Sequence, residues 1–347
     1  MKILFVCGTP NHDPHQRITR PTGGILNSLT IIPEYLASKG HEVYVDSTYG
    51  KEETVNGVHY VTGNKTIGRC DVVVFNRNVL PKETVLQAKE VGAKVVWWLH
   101  DIVQLTYLKD DAFKSVDHVI ALSNYCKNTY TDFYDLPKEI VSVIPNGVDK
   151  KVFYPATAPR NEHMVMTASA LIKGYMPIPT VLDNLKRHDF DLDFRIYSSQ
   201  KLHGMENSKE QVRFLRAMEK EGAHIYHPVS QEVLAHLLRQ ASCLLMPNSY
   251  PEICSNLLLQ AQASGCPVVT SDIGSATEFI ENGVTGVYTS KYKPHDYHSW
   301  IVEYTNKVLD VMLDKKFNQK LSENAPRDVK SWEQIGESWE HEMLQLM

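Results

Sequence analysis

The 347-residue sequence lacks several features that define common classes of protein. No apolar run approaches the roughly 20 residues of a membrane-spanning helix, so no transmembrane segment is predicted. The 36 Lys and Arg residues and the 41 Asp and Glu residues give a net charge of −5, without a long run of one sign. Neither nucleic acid nor an anionic membrane is therefore expected as a partner. No repeat of solenoid or propeller length and no low-complexity segment is present.

The sequence also has no Cys-x-x-Cys pair among its six cysteines. Several of these cysteines fall within apolar strand-like runs, which favours buried thiols in a reducing compartment over disulfides or zinc ligands. The first apolar run, Ile3 to Cys7, is too short for the core of a signal peptide and predicts a strand. We therefore expect a cytoplasmic protein with no strong membrane signal.

What the sequence does contain is an alternation of strand-like apolar runs and helical segments, and it restarts in the second half. This alternation predicts an α/β protein, and the length suffices for two domains. A Pro- and Ala-rich polar stretch near residues 154–159 marks a domain boundary. The predicted domains are 1–155 and 156–328, followed by a last helix in 329–347. Trp332 and Trp339 are seven residues apart and would share one face of that helix.

The segment Pro247–Phe279 is the most informative stretch. An apolar run at 243–246 predicts a buried parallel strand, and a helix is predicted from about Cys254 to Ala263. Glu252 lies between them, beside the start of the helix, where backbone N–H groups and the helix dipole favour phosphate. Gln260 follows eight residues later, about two helical turns along, so both side chains can face one cleft.

These residues resemble the donor-site signature of the retaining GT-B glycosyltransferases of family 4. The family has a Glu followed after seven residues by a second Glu. The corresponding residues here are Glu252-Ile-Cys-Ser and Gln260-Ala-Gln-Ala-Ser-Gly-Cys-Pro-Val-Val. The downstream text Asp272-Ile-Gly-Ser-Ala-Thr-Glu278 is also similar to the family. Taken alone, the stretch has one alternative explanation, an ordinary β–α–β unit in which the Glu is merely a carboxylate at a helix start.

A glycine pair, Gly23-Gly24, follows the first strand and the polar loop 9–22, and it opens a helix to about Ser38. A strand, a glycine pair and a helix start suggest close approach of the backbone to a phosphate or a sugar, although loop punctuation is the simpler alternative. The G-x-G-x-x-G dinucleotide pattern is absent. The family resemblance implies that Gly23 and Gly24 face the donor diphosphate.

Two further positions match the family in part. Lys173-Gly174 follows a predicted strand at 164–168, where the family has an Arg and then Lys-Gly that neutralise the diphosphate. No Arg stands between the predicted strand and Lys173 here. The second cation of the family is therefore missing or comes from elsewhere, such as Arg17 or Arg20. The alternative is that Lys173 is a solvated surface charge without a role in a site.

His100 ends the strand-like run 94–99, at the end of a parallel strand where open α/β sheets bind ligands. The family often places a His-Asp at this point, near the reacting sugar. The alternative is a structural histidine.

The resemblance implies two Rossmann-like domains facing a central cleft, with the C-terminal helix crossing back to the first domain. It implies a retaining glycosyltransferase that moves a hexose-type sugar from a nucleotide-diphosphate sugar to an unidentified glycan, lipid, protein or small molecule. Two alternatives stay open at this point. One is a non-catalytic nucleotide-sugar binding protein, and the other is a different GT-B enzyme such as a sugar-nucleotide epimerase or a phosphorylase.

The implied chemistry assigns roles to individual side chains. Lys173 and helix N-termini would meet the leaving phosphates, and Glu252 would bond sugar hydroxyls. Gln260 would hold the ribose diol through its amide, without the strength that a charge adds. The predicted catalytic residues are His100, Lys173 and Glu252, and the predicted donor-binding residues are Gly23, Gly24, Lys173, Cys254, Ser255, Asn256, Leu257 and Gln260. No Asp-x-Asp cluster occurs among these candidates, so we expect no metal site and no cofactor besides the nucleotide sugar as substrate. No nucleophile is assigned.

Overall fold

The structure is a computed structural model that describes residues 1–7, 13–16, 23–46, 50–77, 80–105, 111–188, 191–198, 206–291 and 294–347. Within these ranges the strands are β1 (Lys2–Val6), β2 (Glu42–Asp46), β3 (Glu53–Val55), β4 (Val58–Val61), β5 (Val72–Asn76), β6 (Lys94–Trp98), β7 (His118–Ala121), β8 (Val141–Val143), β9 (Asn161–Thr167), β10 (Asp193–Tyr197), β11 (His224–Tyr226), β12 (Ala241–Met246), β13 (Val268–Ser271) and β14 (Val287–Thr289).

The helices alternate with these strands, as the sequence pattern predicts. They are α1 (Gly24–Ser38), α2 (Lys82–Glu90), α3 (Asn124–Tyr134), α4 (Ile178–Arg187), α5 (Lys209–Lys220), α6 (Gln231–Gln240), α7 (Asn256–Ala263), α8 (Ala276–Phe279), α9 (Tyr297–Leu313), α10 (Lys315–Asn324) and α11 (Trp332–Gln345). No described helix is both long enough and apolar enough to cross a membrane.

The described chain divides into two compact units. With the gaps given above, the first unit comprises residues 1–16, 24–147 and 330–347, and the second comprises residue 23 and residues 148–329.

The first unit contains a sheet in the strand order β3-β4-β2-β1-β5-β6-β7-β8. Neighbouring strands are parallel except for β3, which is antiparallel to β4. Buried apolar side chains fill β1 and β5, because crossover helices cover both faces of a parallel sheet. The strand order reverses between β1 and β5, and the carboxyl ends of the strands at such a reversal flank a ligand-binding crevice in open α/β sheets.

The β3–β4 hairpin is an element that the sequence analysis did not predict. Asn56 and Gly57 connect the strands with positive φ angles of 48° and 82°. A two-residue turn with both φ angles positive is the hairpin connection that Asn-Gly favours. β3 is a three-residue edge strand without a buried side chain, and β4 has only four residues, so neither gives a long apolar pattern in the sequence.

The last helix, α11, packs within the first unit and confirms the predicted return to that domain. The Trp339 ring centroid is 4.5 Å from that of Trp98 and 6.0 Å from that of Phe5. His41 Nε2 lies 3.2 Å from Glu340 Oε1 on the same helix. Trp339 is 1% exposed, so α11 completes the core of the first unit.

The second unit contains a parallel sheet in the order β11-β10-β9-β12-β13-β14. Its order reverses between β9 and β12. Apolar clusters lie on both faces, one against α4 and α9 and the other against α6 and α7. This is the doubly wound arrangement that the sequence alternation predicts.

The start of one helix differs from the prediction. The helix α7 begins at Asn256, two residues later than predicted, because Ser255 occupies the N-cap position. The mixed-charge stretch 201–220 also has a composition typical of a solvated helix; residues 209–220 form α5, and residues 201–205 lie outside the described part. A capping box fixes the start of α5, since Ser208 Oγ accepts from Gln211 N at 3.2 Å.

A partly buried arginine, Arg160, holds the C-terminal end of α7 in place. Arg160 Nη1 donates to the carbonyl oxygens of Leu238 at 2.6 Å and Ala241 at 3.0 Å, and its Nη2 donates to the Ser264 carbonyl at 2.8 Å. These are carbonyls at the C-terminal ends of α6 and α7, where cationic donors are stabilising. Arg160 is therefore committed to structure and does not replace the arginine that the family places before Lys173.

Candidate active site

Lys173 and Glu252 lie in loops that follow the two strands at the reversal point of the second sheet. Lys173 ends a short 3-10 turn after β9, and Glu252 lies in the loop after β12. Loops that follow such neighbouring strands depart to opposite sides of the sheet and leave a crevice at its carboxyl edge. The structure thus places two predicted site residues, 79 positions apart in sequence, at one edge.

The two side chains form an ion pair. Lys173 Nζ donates to Glu252 Oε1, and Asn248 Nδ2 lies 3.5 Å from Glu252 Oε2. The side chains of Lys173 and Glu252 are 31% and 12% exposed, respectively. The carboxylate is thus largely shielded from water and has a cation on one oxygen and an amide on the other.

The backbone holds the Lys173 loop against the Glu252 loop. The Lys173 carbonyl accepts the N–H groups of Ser249 at 2.8 Å and Tyr250 at 3.2 Å. Gly174 has a φ of +146°, and a Cβ atom at this position would lie 2.0 Å from the Pro247 carbonyl oxygen. The Lys-Gly pattern therefore has a steric cause, because only glycine permits this approach.

A third loop, after β13, fixes the backbone of Glu252. The Ser275 N–H and hydroxyl both donate to the Glu252 carbonyl, at 2.9 and 3.0 Å. Gly274 has a φ of +63°, and a Cβ atom there would lie 2.4 Å from the same carbonyl oxygen. The family-like text from Asp272 to Glu278 thus orients Glu252 through its main chain.

The predicted donor-binding residues 254–257 lie at the start of α7, close to Glu252 in sequence, and all four are partly exposed. Ser255 is the N-cap residue, but its side chain makes no capping hydrogen bond. The first turn of a helix has a partial positive charge that attracts anions. The arrangement places this helix end and the Lys173 ammonium at the same carboxyl edge of the sheet.

Gln260 lies further along α7 and is 9% exposed. Its Nε2 donates to Gln231 Oε1, at the first residue of α6, with a distance of 2.7 Å. The amide nitrogen of Gln260 is thus engaged by another side chain. Its role at a ribose diol stays a prediction.

His100 follows β6 in the first unit and is 8% exposed. Its ring centroid is 4.3 Å from that of Trp98, and its Nε2 has no hydrogen-bond partner in the described part of the chain. Burial, and secondarily the charge of Arg77, lowers the pKa of His100 to about 3. The imidazole is therefore neutral at pH 7. The adjacent Asp101 is engaged elsewhere, since it accepts two hydrogen bonds from the Arg77 guanidinium at 2.8 and 3.0 Å.

Asn76 is a candidate that the sequence analysis missed. It ends β5, next to the reversal point of the first sheet, and is fully buried. Neither its Nδ2 nor its Oδ1 has a partner among the described residues, and the same holds for Trp98 Nε1 on the neighbouring strand. A polar residue that ends an otherwise apolar strand run was the available signal.

The glycine pair gives less information. Gly24 begins α1 after β1, and its carbonyl accepts from Ser28 Oγ at 3.0 Å. A Cβ atom on Gly23 would meet no atom of the described residues within 4 Å, so their packing does not explain a glycine there. Arg17 and Arg20, the proposed substitutes for the missing family arginine, lie outside the described residues.

Two family models match the sequence. The model for glycosyl transferases group 1 matches residues 171–306, and the model for glycosyltransferase family 4 matches residues 65–152. Both models describe glycosyltransferases, and their matches cover separate parts of the chain. This confirms the predicted family and shows a glycosyltransferase rather than the binding protein, epimerase or phosphorylase that the sequence left open.

Curated relatives in this family are distant. Spore coat protein SA of Bacillus subtilis is 22% identical over 350 residues, which cover 87% of this chain and 90% of the relative. An MMP alpha-(1->4)-mannosyltransferase of Mycolicibacterium hassiacum is 26% identical over 250 residues, which cover 69% of this chain and 57% of that protein. The chain thus spans little more than half of the mannosyltransferase.

Among solved structures, Anabaena Alr3699/HepE in complex with UDP superposes with a TM-score of 0.74. It is 16% identical, and the match covers 100% of both chains. At this identity the likeness shows the fold alone, and that fold is GT-B, as predicted. Within the described ranges no group of three or more His, Cys, Asp or Glu residues has the arrangement of a metal site.

Proposed function

We propose that this glycosyltransferase moves a hexose-type sugar from a nucleotide-diphosphate sugar to an acceptor, with retention of the anomeric configuration. The observation that supports the proposal most is the Lys173–Glu252 pair at the reversal point of the second sheet, beside the start of α7. The pair combines a cation for phosphate with a carboxylate for hydroxyl groups. The acceptor is a glycan, a lipid, a protein or a small molecule.

The difficult step is departure of the diphosphate from the anomeric carbon. As the C1–O bond to phosphate breaks, the sugar gains oxocarbenium character and negative charge develops on the leaving oxygen. Lys173 and the positive end of α7 stabilise that charge, and neighbouring loops already hold the backbone of both in place. The acceptor oxygen bonds to C1 on the same face, and its proton passes to the leaving phosphate.

Glu252 then acts on the sugar. Its carboxylate accepts hydrogen bonds from sugar hydroxyls and fixes the orientation of C1. In this proposal residues 254–257 contact the phosphates and Gln260 contacts the ribose. The donor-side roles of Gly23 and Gly24, and the role of His100 near the reacting sugar, stay predictions from the family resemblance.

A UDP-sugar is the first donor to try, because Anabaena HepE has been solved with UDP and with UDP-glucose. Lys173 and the helix end supply the positive charge in this scheme, so we propose a reaction without a metal ion, which is testable with a chelator. The six cysteines are all free thiols. We therefore place the protein in the reducing cytoplasm.

The test is incubation of the protein with UDP-, GDP- and ADP-sugars, with nucleotide release as the readout and proton NMR of the product to report the anomeric configuration. Glu252→Gln should lower turnover at least about 100-fold with little change in thermal midpoint, since it removes a hydrogen-bonding charge at the reacting sugar. Glu162→Gln is the matched control, because Glu162 forms an exposed ion pair with Lys315 in the same unit. Absence of release with every donor would reject the proposal, and full activity of a folded Glu252→Gln protein would remove Glu252 from the site.

A further inference from the structure

Asn248 is the second hydrogen-bonding partner of the Glu252 carboxylate. It lies two residues beyond β12 and is 3% exposed. Its Nδ2 is 3.5 Å from Glu252 Oε2, and its own carbonyl oxygen accepts from Ser271 Oγ. Its N–H donates to the Met246 carbonyl at 2.7 Å. The main chain of Asn248 is thus tied on both sides, which fixes where its amide group can reach.

The side chain of Asn248 is only half satisfied. Its Oδ1 is buried and has no partner among the described residues. A buried polar atom without a partner destabilises the folded state, and such atoms are rare in native proteins. Fold stability therefore does not explain an asparagine here. Violations of this kind are expected at functional sites.

The proposed reaction changes the partners of Glu252. In the structure the carboxylate has Lys173 on Oε1 and Asn248 on Oε2. When Lys173 turns to the donor diphosphate, Asn248 is the partner that stays, because an uncharged amide is not drawn to phosphate as an ammonium group is. The long 3.5 Å contact is of the kind that tightens when substrate binds.

We propose that Asn248 is a positioning residue that keeps the Glu252 carboxylate aimed at the sugar while Lys173 neutralises the diphosphate. The inference rests on the proposed function. It assigns to Asn248 no contact with the nucleotide.

The first test compares two alanine variants in the donor screen. Asn248→Ala should lower kcat/KM for the nucleotide sugar that the wild-type protein uses by roughly 10- to 100-fold, the effect of a hydrogen bond to a charged group. Its Kd for the matching nucleoside diphosphate, measured by calorimetry, should stay within about threefold of wild type, because the diphosphate contacts remain.

The matched control is Asn318→Ala. Asn318 Nδ2 donates to the carbonyls of Ser242 and Val311, both at 3.1 Å, and Ser242 lies at the opposite end of β12. This variant should lose thermal stability and keep kcat/KM, whereas Asn248→Ala should lose activity and fall less in thermal midpoint. The reverse pattern would assign Asn248 a structural role and overturn the inference.

A second variant, Asn248→Asp, gives a signature that a structural role would not produce. The substitution places a second carboxylate beside Glu252. In the described structure, Lys173 is the charged group that is bonded to Glu252. Two adjacent carboxylates hold a shared proton more tightly, so the pKa of the pair rises. As the pH falls from 8 towards 5, that proton restores a donor to Glu252, and the activity of the variant relative to wild type should rise about tenfold.

The outcomes separate the two proposals. If the wild-type protein releases nucleotide but Asn248→Ala matches it, or if the relative activity of Asn248→Asp is independent of pH, the positioning role is wrong and the proposed function stands. If the wild-type protein uses no nucleotide sugar, both fail together.

Discussion

The polar groups at the carboxyl edges of the two sheets differ in their hydrogen bonding. At the reversal point of the second sheet, Lys173 and Glu252 bond each other, and three loops hold their backbones. In the first sheet Asn76, Trp98 and His100 are buried, and each has a polar atom without a partner among the described residues. Both edges contain an ion pair, Lys173–Glu252 in the second unit and Arg77–Asp101 in the first. Among the described residues, the first edge has three buried side chains with unpartnered polar atoms, whereas beside Glu252 only the Asn248 amide oxygen is unpartnered.

The two units are therefore prepared to bind a ligand in different ways. The ion pair keeps two charges in place before any ligand arrives, which is preorganisation for an anion and for hydroxyl groups. The unpaired groups of the first unit each destabilise the fold by about 1–3 kcal/mol until a water molecule or a ligand bonds them. Three substitutions test this contrast.

The largest effect is expected at Lys173. Lys173→Met removes the cation but keeps the length of the side chain, so kcat/KM should fall roughly 10²- to 10³-fold, as when a donor to developing negative charge is lost. Steady-state nucleotide release measures this. Lys315→Met, which breaks the exposed pair with Glu162, should leave the rate unchanged. Equal rates for Lys173→Met and wild type would show that the ion pair is not part of the site.

A smaller effect is expected from the pH dependence at His100. Its pKa is about 3 in the folded protein, against about 6.5 when unfolded, so only the unfolded chain gains a proton between pH 6.5 and 3. Stability is therefore lost as the pH falls through this window, by about 2 kcal/mol at pH 5 from this residue. His100→Gln should lose correspondingly less between pH 7 and pH 5.

Urea titration followed by tryptophan fluorescence measures this, because four of the five tryptophans lie in the first unit (Trp97, Trp98, Trp332 and Trp339). Identical losses in wild type and His100→Gln would mean that His100 takes up its proton in the folded protein, contrary to its buried position.

The smallest effect is expected at Asn76. Asn76→Leu replaces two unpaired polar atoms with a side chain of similar size, so the free energy of unfolding should rise by about 1 kcal/mol. Asn146→Leu is the contrasting variant, since Asn146 is also buried in the first unit but its Oδ1 accepts from Ser28 Oγ at 3.2 Å. That variant should be less stable than wild type. Destabilisation of both variants to the same degree would show that Asn76 has partners, such as internal water.

Much of the second unit's site was predictable, because its signals are local. The strand, the turn with Glu252 and the helix ended by Gly265 occupy one short stretch, and the predicted order holds in the structure. Asn56-Gly57 was a local signal too, and it would have predicted the β3–β4 hairpin from turn chemistry alone.

The remaining features depend on contacts between distant residues. The Lys173–Glu252 bond joins positions 79 residues apart and requires the order of β9 and β12 in the sheet. The sequence shows Asn76 only as a polar residue at the end of an apolar run. That its side chain lacks hydrogen-bond partners among the described residues follows only from how β5 and β6 are buried. Sequence periodicity carries no information about which polar atoms a fold leaves unpaired.

The packing of α11 against Trp98 and Phe5 has a consequence for biosynthesis. A ribosome adding about 5–20 residues per second takes roughly 10–40 s to translate residues 148–329. Throughout that time the nascent first unit presents an uncovered aromatic surface. The second unit can finish folding while the first, although made earlier, still lacks its last helix. Chaperones that bind nascent chains have their longest opportunity to act in that interval.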